Sequence, residues 1–161
     1  MSVVKKVEII PFNIELKDHI KTLNFEWLEK YFKVEPKDQI VLSNPQTEII
    51  DKGGFIYYAK YGNHIVGTVS LLKIDQTTFE LSKMAVTTTV QGLGIGKKLI
   101  NHCLAEAKEK EIKNIILYSN RSLKSALHLY RTFGFVEVAL ENGIYQRADI
   151  KMQIDLNILH D

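Results

Sequence analysis

The sequence has a single cysteine, Cys103, in 161 residues. A chain with one cysteine forms no intrachain disulfide and builds no cysteine-based metal cluster. It also has no apolar run near the roughly 18 residues that span a bilayer. Residues 1–16 lack the continuous apolar core and the small-residue cleavage site of a signal peptide. We therefore expect a cytoplasmic protein without a membrane partner.

An excess of charge of one sign is also missing. The chain has 21 lysines and arginines against 19 aspartates and glutamates, which leaves a net charge of +2 at pH 7. That balance gives no indication of a nucleic-acid partner, although it suits a phosphate-bearing ligand. The sequence shows no internal repeat, low-complexity tract or linker, and its length fits one domain. We expect residues 1–161 to form a single domain.

Hydrophobic periodicity predicts a succession of strands and helices. Residues 3–12 have the β-branched composition of a strand, and residues 14–31 carry apolar side chains at helical spacing after a plausible cap at Asn13. A short second helix is predicted over residues 36–44. Three alternating runs from Gly53 onward predict an antiparallel meander. Two strand–helix units and then two further strands are predicted after it. The predicted fold class is α+β, with a mixed, mostly antiparallel sheet of about seven strands flanked by helices.

A glycine-rich run separates the third meander strand from the next helix. It reads Gln91-Gly92-Leu93-Gly94-Ile95-Gly96-Lys97. The free N–H groups of a first helical turn point at one spot, where the macrodipole adds partial positive charge. Glycine lets a diphosphate approach the backbone and tolerates positive φ. The run therefore predicts an anion-binding turn.

Two nucleotide-binding templates fail at this turn. A P-loop needs G-x-x-x-x-G-K-[S/T], but positions 91 and 98 hold glutamine and lysine. A dinucleotide fingerprint needs G-x-G-x-x-G within a βαβ unit, whereas the strands before this turn form a meander. The pattern that fits is Gln/Arg-x-x-Gly-x-Gly/Ala, filled by Gln91, Gly94 and Gly96.

With this pattern the sequence resembles the GNAT-type N-acetyltransferase superfamily, whose members bind the pyrophosphate of acetyl-coenzyme A on this loop. A second stretch, LYRTFGFVEV at residues 129–138, is similar to the C-terminal Leu-Tyr-x-x-x-Gly-Phe signature of the family. The two motifs occur in the family's order. The resemblance implies an enzyme that moves an acetyl group from acetyl-coenzyme A to a primary amine by direct attack in a ternary complex.

The resemblance also implies how the coenzyme is held. The strand ending in Met84, Ala85 and Val86 would be splayed from its neighbour, so that its backbone N–H groups pair with the pantetheine arm and polarise the acetyl carbonyl. Many family members carry an asparagine where this chain has Leu123. Polar contacts with the coenzyme are then expected from Asn120, Ser122 and Ser125.

Two side chains are the expected catalytic groups. Tyr130 matches the family tyrosine that protonates the departing thiolate, and core packing is its alternative role. Glu80 is the leading general base, because strand alternation would place Glu80, Ser82 and Met84 on one face. There its carboxylate would collect the ammonium proton through a water molecule. The alternative is a solvated strand glutamate.

The acceptor pocket would be walled by the first helix and by the segment before the last strand. The candidates on these walls are Asn24, Glu26, Trp27, Tyr31, Tyr145 and Arg147. A free Arg147 would receive a substrate carboxylate bidentately. This would favour a small amino acid over a polyamine as the acceptor.

Other functions stay open, namely a non-catalytic coenzyme A-binding module and a protein or peptide N-acetyltransferase. We expect a small-molecule amine as the acceptor and no nucleic acid, and we allow for a homodimer. No metal is expected, because the five histidines lack metal-ligand spacing. Cys103 falls on the apolar face of its helix, which indicates a core residue and disfavours an acyl-cysteine route.

Overall fold

Residues 5–90 and 92–157 are described by a computed structural model. Within those residues, seven strands form one sheet. They are β1 (Val7–Pro11), β2 (Phe55–Tyr61), β3 (His64–Lys73), β4 (Thr78–Val86), β5 (Asn114–Ser119), β6 (Val136–Val138) and β7 (Ile150–Asp155). The α-helices of the same residues are α1 (Asp18–Tyr31), α2 (Pro36–Ser43), α3 (Ile95–Glu109) and α4 (Lys124–Thr132).

The strands lie in the order β1-β2-β3-β4-β5-β7-β6. The pairing of β4 with β5 is parallel, and the other neighbours in the sheet are antiparallel. β7 lies between β5 and β6, so the last strand of the chain is internal to the sheet. The mixed, mostly antiparallel sheet predicted from the sequence is confirmed.

The start of the first helix differs from the prediction. The side chain of Asn13 accepts a hydrogen bond from the backbone N–H of Glu15 at 2.9 Å, and it caps a short 3₁₀ turn over Ile14–Leu16. The helix α1 begins only at Asp18. Asn13 is therefore a cap, as predicted, but of a separate turn that leaves Ile14 exposed.

The two faces of the sheet bury separate hydrophobic cores. On one face α3 buries the apolar residues that helical spacing predicts, including Cys103, which is fully buried: Ile95, Leu99, Ile100, Cys103, Leu104 and Ala107. On the other face α1 and α2 cover a second core around Tyr58. No helix in the described ranges is long and apolar enough to cross a membrane.

A bulge interrupts β4 just before its end. Thr68 of β3 pairs with Ala85 and Ser70 pairs with Ser82, so two steps along β3 match three steps along β4. Lys83 lies in this interval with a φ of 54°, in the left-handed region that non-glycine residues rarely adopt. A bulge of this kind re-aims the side chains that follow it.

The bulge makes one sequence prediction wrong. Met84 packs against the same core as Phe79 and Leu81, whereas Glu80 and Lys83 make their polar contacts with Tyr145 and Asp38, outside that core. Strict alternation would have placed Glu80 and Met84 on one face. The extra residue reverses the alternation after Ser82.

The same end of β4 separates from β5. Their pairing covers Thr78–Glu80 against Asn114–Ile116 and then stops, although β4 continues to Val86 and β5 to Ser119. The splay expected for the strand ending in Met84, Ala85 and Val86 is therefore present. A cleft opens between the two strands next to the turn that precedes α3.

Candidate active site

The cleft between β4 and β5 contains a cavity of about 140 Å³. It brings together residues that the sequence assigns to three roles, catalytic, coenzyme-binding and acceptor-binding. These residues are Asn24, Trp27, Glu80, Met84, Asn120, Tyr130, Tyr145 and Arg147. The cavity is therefore the candidate active site.

The glycine-rich turn has the backbone geometry that an anion site requires. Gly92 has a φ of 92° and Gly94 a φ of 71°, and a Cβ atom at either position would meet no other atom within 4 Å. Glycine is thus required by the left-handed backbone rather than by packing. Gly94 is the N-cap residue of α3, and in the described residues no side chain caps that helix. Its first-turn N–H groups are available to a ligand, while Gln91 lies outside the described residues.

Glu80 is a buried carboxyl group at the point where β4 and β5 part. Its side chain is 5% exposed, so the alternative of a solvated strand glutamate is wrong. The hydroxyl of Tyr145 donates a hydrogen bond to Oε2 at 3.0 Å. Burial raises the pKa of Glu80, and the hydrogen bond from Tyr145 and the charge of Lys83 oppose that rise. The Ser82 side chain, two residues along β4, also lowers the pKa of Glu80 through a hydrogen bond.

Tyr130 lines the same cavity from α4. Its ring meets Phe135 edge to face, with centroids 5.9 Å apart. Burial raises the pKa of Tyr130 to about 12, and its hydroxyl has no hydrogen-bond partner among the described residues. Core packing and a place in the cleft are therefore compatible.

A cluster of buried charges, which the sequence did not predict, stands beside Glu80. Asp38 of α2 is fully buried and accepts hydrogen bonds from Lys83 Nζ at 3.0 Å and from both terminal nitrogens of Arg147 at 2.8 and 2.9 Å. Glu35 binds Arg147 Nη1 at 2.9 Å. Burial alone would raise the pKa of Asp38, but the hydrogen bond from Arg147 and the charge of Lys83 lower it to about 2. These four residues are called the Asp38 cluster below.

The Asp38 cluster changes the interpretation of Arg147. A guanidinium that is bound bidentately to Asp38 and also to Glu35 is not free to receive a substrate carboxylate. The prediction of a free Arg147 is therefore wrong, and the preference for an amino-acid acceptor loses its support. A local signal marked the start of α2, where proline follows Glu35, but the contact of Asp38 with a residue 109 positions away has no local signal.

Asn24 and Asn120 help to build the walls of the cleft. The buried amide of Asn24 donates to the carbonyl oxygen of Lys83 at 3.2 Å, which ties α1 to the bulge. The amide of Asn120 donates to the carbonyl oxygen of Arg147 at 2.7 Å. A contact of Asn120 with the coenzyme stays a prediction.

Three other candidates are not part of the cavity lining. Tyr31 is 46% exposed and packs its ring against Trp27. Glu26 accepts hydrogen bonds from the hydroxyl of Thr87 and from the backbone N–H of Thr88, outside the cavity. Ser125 is an exposed residue near the start of α4.

A splayed pair of parallel strands, a glycine turn at the start of a helix and a buried acid between them define an acyl-coenzyme A-dependent transferase. A family model described as the acetyltransferase (GNAT) family matches residues 17–135. The chain therefore belongs to the GNAT acetyltransferase family, and it is an acetyl-coenzyme A-dependent N-acyltransferase.

Relatives of known sequence or structure agree with this assignment. The chain is 29% identical over 136 residues to the uncharacterized N-acetyltransferase YvbK of Bacillus subtilis. The aligned region covers 74% of this chain and 88% of the relative. A GNAT-family acetyltransferase of Staphylococcus aureus Mu50 superposes with a TM-score of 0.84 at 26% identity, over 94% of this chain and 99% of that one. A B. subtilis acetyltransferase solved in complex with CoA gives 0.71 at 25% identity, over 93% and 99%.

Proposed function

We propose that this enzyme acetylates the primary amine of a small molecule by direct attack in a ternary complex, with Glu80 as the general base and Tyr130 as the general acid. The observation that carries the proposal is the state of Glu80. Its carboxyl group is buried where β4 leaves β5, it lines the cavity, and Oε2 accepts a hydrogen bond from Tyr145. Tyr130 lines the same cavity.

The coenzyme side of the cleft fits a diphosphate and an extended thioester arm. The turn at Gly92 and Gly94 leaves open space where a Cβ would stand, and Lys97 is exposed beside it. The residues Met84–Val86 are not paired with β5, so their backbone can hold the pantetheine arm. Backbone N–H groups fixed before reaction can polarise the acetyl oxygen at little reorganisation cost.

The chemistry then needs two proton transfers. The amine nitrogen forms a bond to the acetyl carbon, and Glu80 takes the proton that this nitrogen loses. The carbon–sulfur bond breaks, and Tyr130 gives its hydroxyl proton to the leaving sulfur. The raised pKa of Glu80 makes it a stronger base, and the pKa of about 12 keeps Tyr130 protonated at neutral pH.

The walls of the acceptor side support a small acceptor. Trp27, Tyr118 and Tyr145 present aromatic surface to the cavity, and aromatic walls of this kind suit a compact acceptor with an apolar part. Arg147 and Lys83 are paired with Asp38. Neither cation is therefore available to bind the carboxylate of an amino-acid acceptor. The proposal is accordingly a primary amine on a small scaffold. A cytoplasmic location stays a prediction from the sequence.

The test is a thiol-release assay with acetyl-coenzyme A against amino acids, polyamines, aminoglycosides, arylalkylamines and peptides. With an amine that turns over, Glu80→Gln is expected to lower kcat by about 10²–10⁴-fold and to abolish the acid limb of kcat/KM. A base must be ionised, so in the parent enzyme activity rises as pH rises through the raised pKa of Glu80.

The matched control is Glu137→Gln on the exposed strand β6, where Arg121 is the side chain's ion-pair partner among the described residues. It should leave kcat and the acid limb as they are. Glu80→Gln should still show a thermal shift with acetyl-coenzyme A, because the coenzyme turn is intact. An unchanged kcat and pH profile in Glu80→Gln would remove Glu80 as the base. A preference for peptides over every small amine would refute the proposed acceptor class.

A further inference from the structure

The connection between β6 and β7, residues 139–149, forms one wall of the cleft. This β6–β7 segment is fixed to the body of the protein at several points. Arg147 binds Asp38 and Glu35, Asn120 donates to the carbonyl oxygen of Arg147, and the backbone N–H of Gln146 donates to Glu35 at 3.3 Å. The segment is therefore held by α2 on one side and by the end of β5 on the other.

Tyr145 is the residue of the segment that reaches Glu80. Its ring lies among three cations, with Lys37 Nζ at 4.6 Å, Lys83 Nζ at 5.2 Å and Arg147 Cζ at 5.2 Å from the ring centroid. Cations within about 6 Å of an aromatic face are attracted to it. Asp38 holds two of these cations in place, so the ring is fixed indirectly by the Asp38 cluster.

The proposed role rests on the function proposed above, in which Glu80 is the base. We propose that Tyr145 is a positioning residue, whose hydroxyl holds Oε2 of Glu80 and so orients the carboxylate towards the acceptor amine. The hydroxyl donates at 3.0 Å, and it donates to Glu80 more strongly when the carboxyl group is ionised. The loss of this donor should therefore make Glu80 easier to protonate.

The ionisable groups around Glu80 come from several elements. Lys37 faces it from α2, Lys83 from β4, Tyr118 from β5 and Tyr145 from the β6–β7 segment. The two lysines favour the ionised carboxylate and stay in place when only the hydroxyl of Tyr145 is removed. Phenylalanine at position 145 keeps the ring and its contacts with the three cations, so Tyr145→Phe isolates the hydrogen bond.

Tyr118 provides a matched control within the same cleft. Its ring lies 5.7 Å from that of Tyr145, edge to face, but its hydroxyl donates to Glu141 at 2.9 Å rather than to Glu80. Tyr118→Phe therefore removes a phenolic hydroxyl from the same cavity without removing a hydrogen bond to the base. The two variants differ in whether Glu80 loses its donor.

The experiment measures kcat/KM for the acceptor against pH in the parent enzyme, Tyr145→Phe, Tyr118→Phe and Glu80→Gln. Tyr145→Phe should move the acid limb upward by about one pH unit, which is the range expected for one hydrogen bond to a charged group. It should lower kcat and leave the KM for acetyl-coenzyme A unchanged. Tyr118→Phe should leave the acid limb where it is in the parent.

The outcomes separate this proposal from the proposed function. If Glu80→Gln abolishes the limb but Tyr145→Phe does not move it, Tyr145 is not a positioning residue and Glu80 remains the base. An equal displacement in Tyr145→Phe and Tyr118→Phe also overturns the proposal, because it would show a general effect of lost hydroxyls in the cleft. If the limb persists in Glu80→Gln, the proposed base itself is wrong.

Discussion

The turn proposed to hold the coenzyme consists of backbone groups from one continuous stretch, whereas the wall proposed for the acceptor carries charged side chains from three distant segments. At the coenzyme turn, residues 92–97 follow each other in the chain, and positive φ at Gly92 and Gly94 sets their geometry. In the Asp38 cluster, Asp38 meets Lys83 across 45 positions and Arg147 across 109. The two sides therefore depend on different physical terms.

This difference predicts how each side responds to substitution. A backbone site loses ligand affinity when its conformation is strained, but the free energy of unfolding of the protein changes little. A buried charge cluster loses stability when one member is removed, because the remaining charges are left without compensation. We expect acceptor-side changes to act first on folding and coenzyme-side changes to act first on binding.

The largest effect is expected for Asp38→Ala. The change leaves the buried Lys83 without its carboxylate partner and leaves the half-buried Arg147 with Glu35 alone, which should lower the free energy of unfolding by about 3–5 kcal/mol. Urea denaturation measures it. Glu137→Gln, in the exposed pair with Arg121, should leave the midpoint unchanged. Similar midpoints for the two variants would show that the Asp38 cluster does not stabilise the fold.

The Asp38 cluster should also give a characteristic pH dependence of stability. The pKa of Asp38 is lowered from 3.8 to about 2, so its contribution is present above the unfolded value and is lost as pH falls towards 2. The parent enzyme should lose stability in this window, whereas Asp38→Ala should lose less. Parallel curves for the two proteins below pH 4 would contradict this assignment.

The next largest effect is expected on kcat, for a change at Tyr130 in the cavity. Tyr130→Phe should lower kcat by about 10²-fold if the hydroxyl protonates the thiolate, and the acid limb set by Glu80 should stay in place. With a pKa of about 12, Tyr130 should produce no alkaline limb near neutral pH. Tyr57→Phe is the control, because Tyr57 is a buried tyrosine of β2 outside the cavity. An equal loss of kcat in both would indicate packing rather than acid catalysis.

A smaller effect is expected for Gly94→Ala on the coenzyme side. Alanine at a φ of 71° costs about 1 kcal/mol of stability, and its Cβ would occupy space next to the first-turn N–H groups of α3. We expect the KM for acetyl-coenzyme A to rise about tenfold, which corresponds to about 1.4 kcal/mol of binding. Kinetics at saturating acceptor measure it.

The control for this change is Gly62→Ala. Gly62 has a φ of 61° in the hairpin between β2 and β3, away from the cavity. It should show a similar loss of stability and an unchanged KM for acetyl-coenzyme A. If both variants raise the KM equally, strain rather than the local shape of the turn is responsible.

The same difference explains how far the sequence could be interpreted. The buried stripe of α3 and the succession of strands and helices along the chain follow from local periodicity, and the glycine turn follows from a local need for positive φ. The bulge had no such signal, because Lys83 is not a residue that favours a left-handed backbone. Tyr145 was assigned to the acceptor wall, but its bond to Glu80 spans 65 positions, and no spacing rule reaches that far.

The smallest effect is expected for Ser70, a buried serine of β3 whose hydroxyl has no hydrogen-bond partner among the described residues. Ser70 and Thr68 share one face of β3, because they alternate with Val69 and Leu71 of the opposite core. The buried hydroxyl of Ser70 has no hydrogen-bond partner in the part of the chain that the structure describes, whereas that of Thr68 donates to the carbonyl oxygen of Tyr57 at 3.1 Å. Removal of an unsatisfied buried hydroxyl should be neutral or stabilising, and loss of a satisfied one costs about 0.5–1.5 kcal/mol.

Ser70→Ala should therefore unfold at the same or a slightly higher urea concentration than the parent enzyme, and Thr68→Val at a lower one. Both changes remove a hydroxyl from the same strand and face, so the difference between them isolates hydrogen bonding from burial. If Ser70→Ala destabilises the protein as much as Thr68→Val, a bound water molecule satisfies the serine. That water molecule would add Ser70 to the polar groups around Asp38 and Glu80, on the same side of the sheet as the bulge.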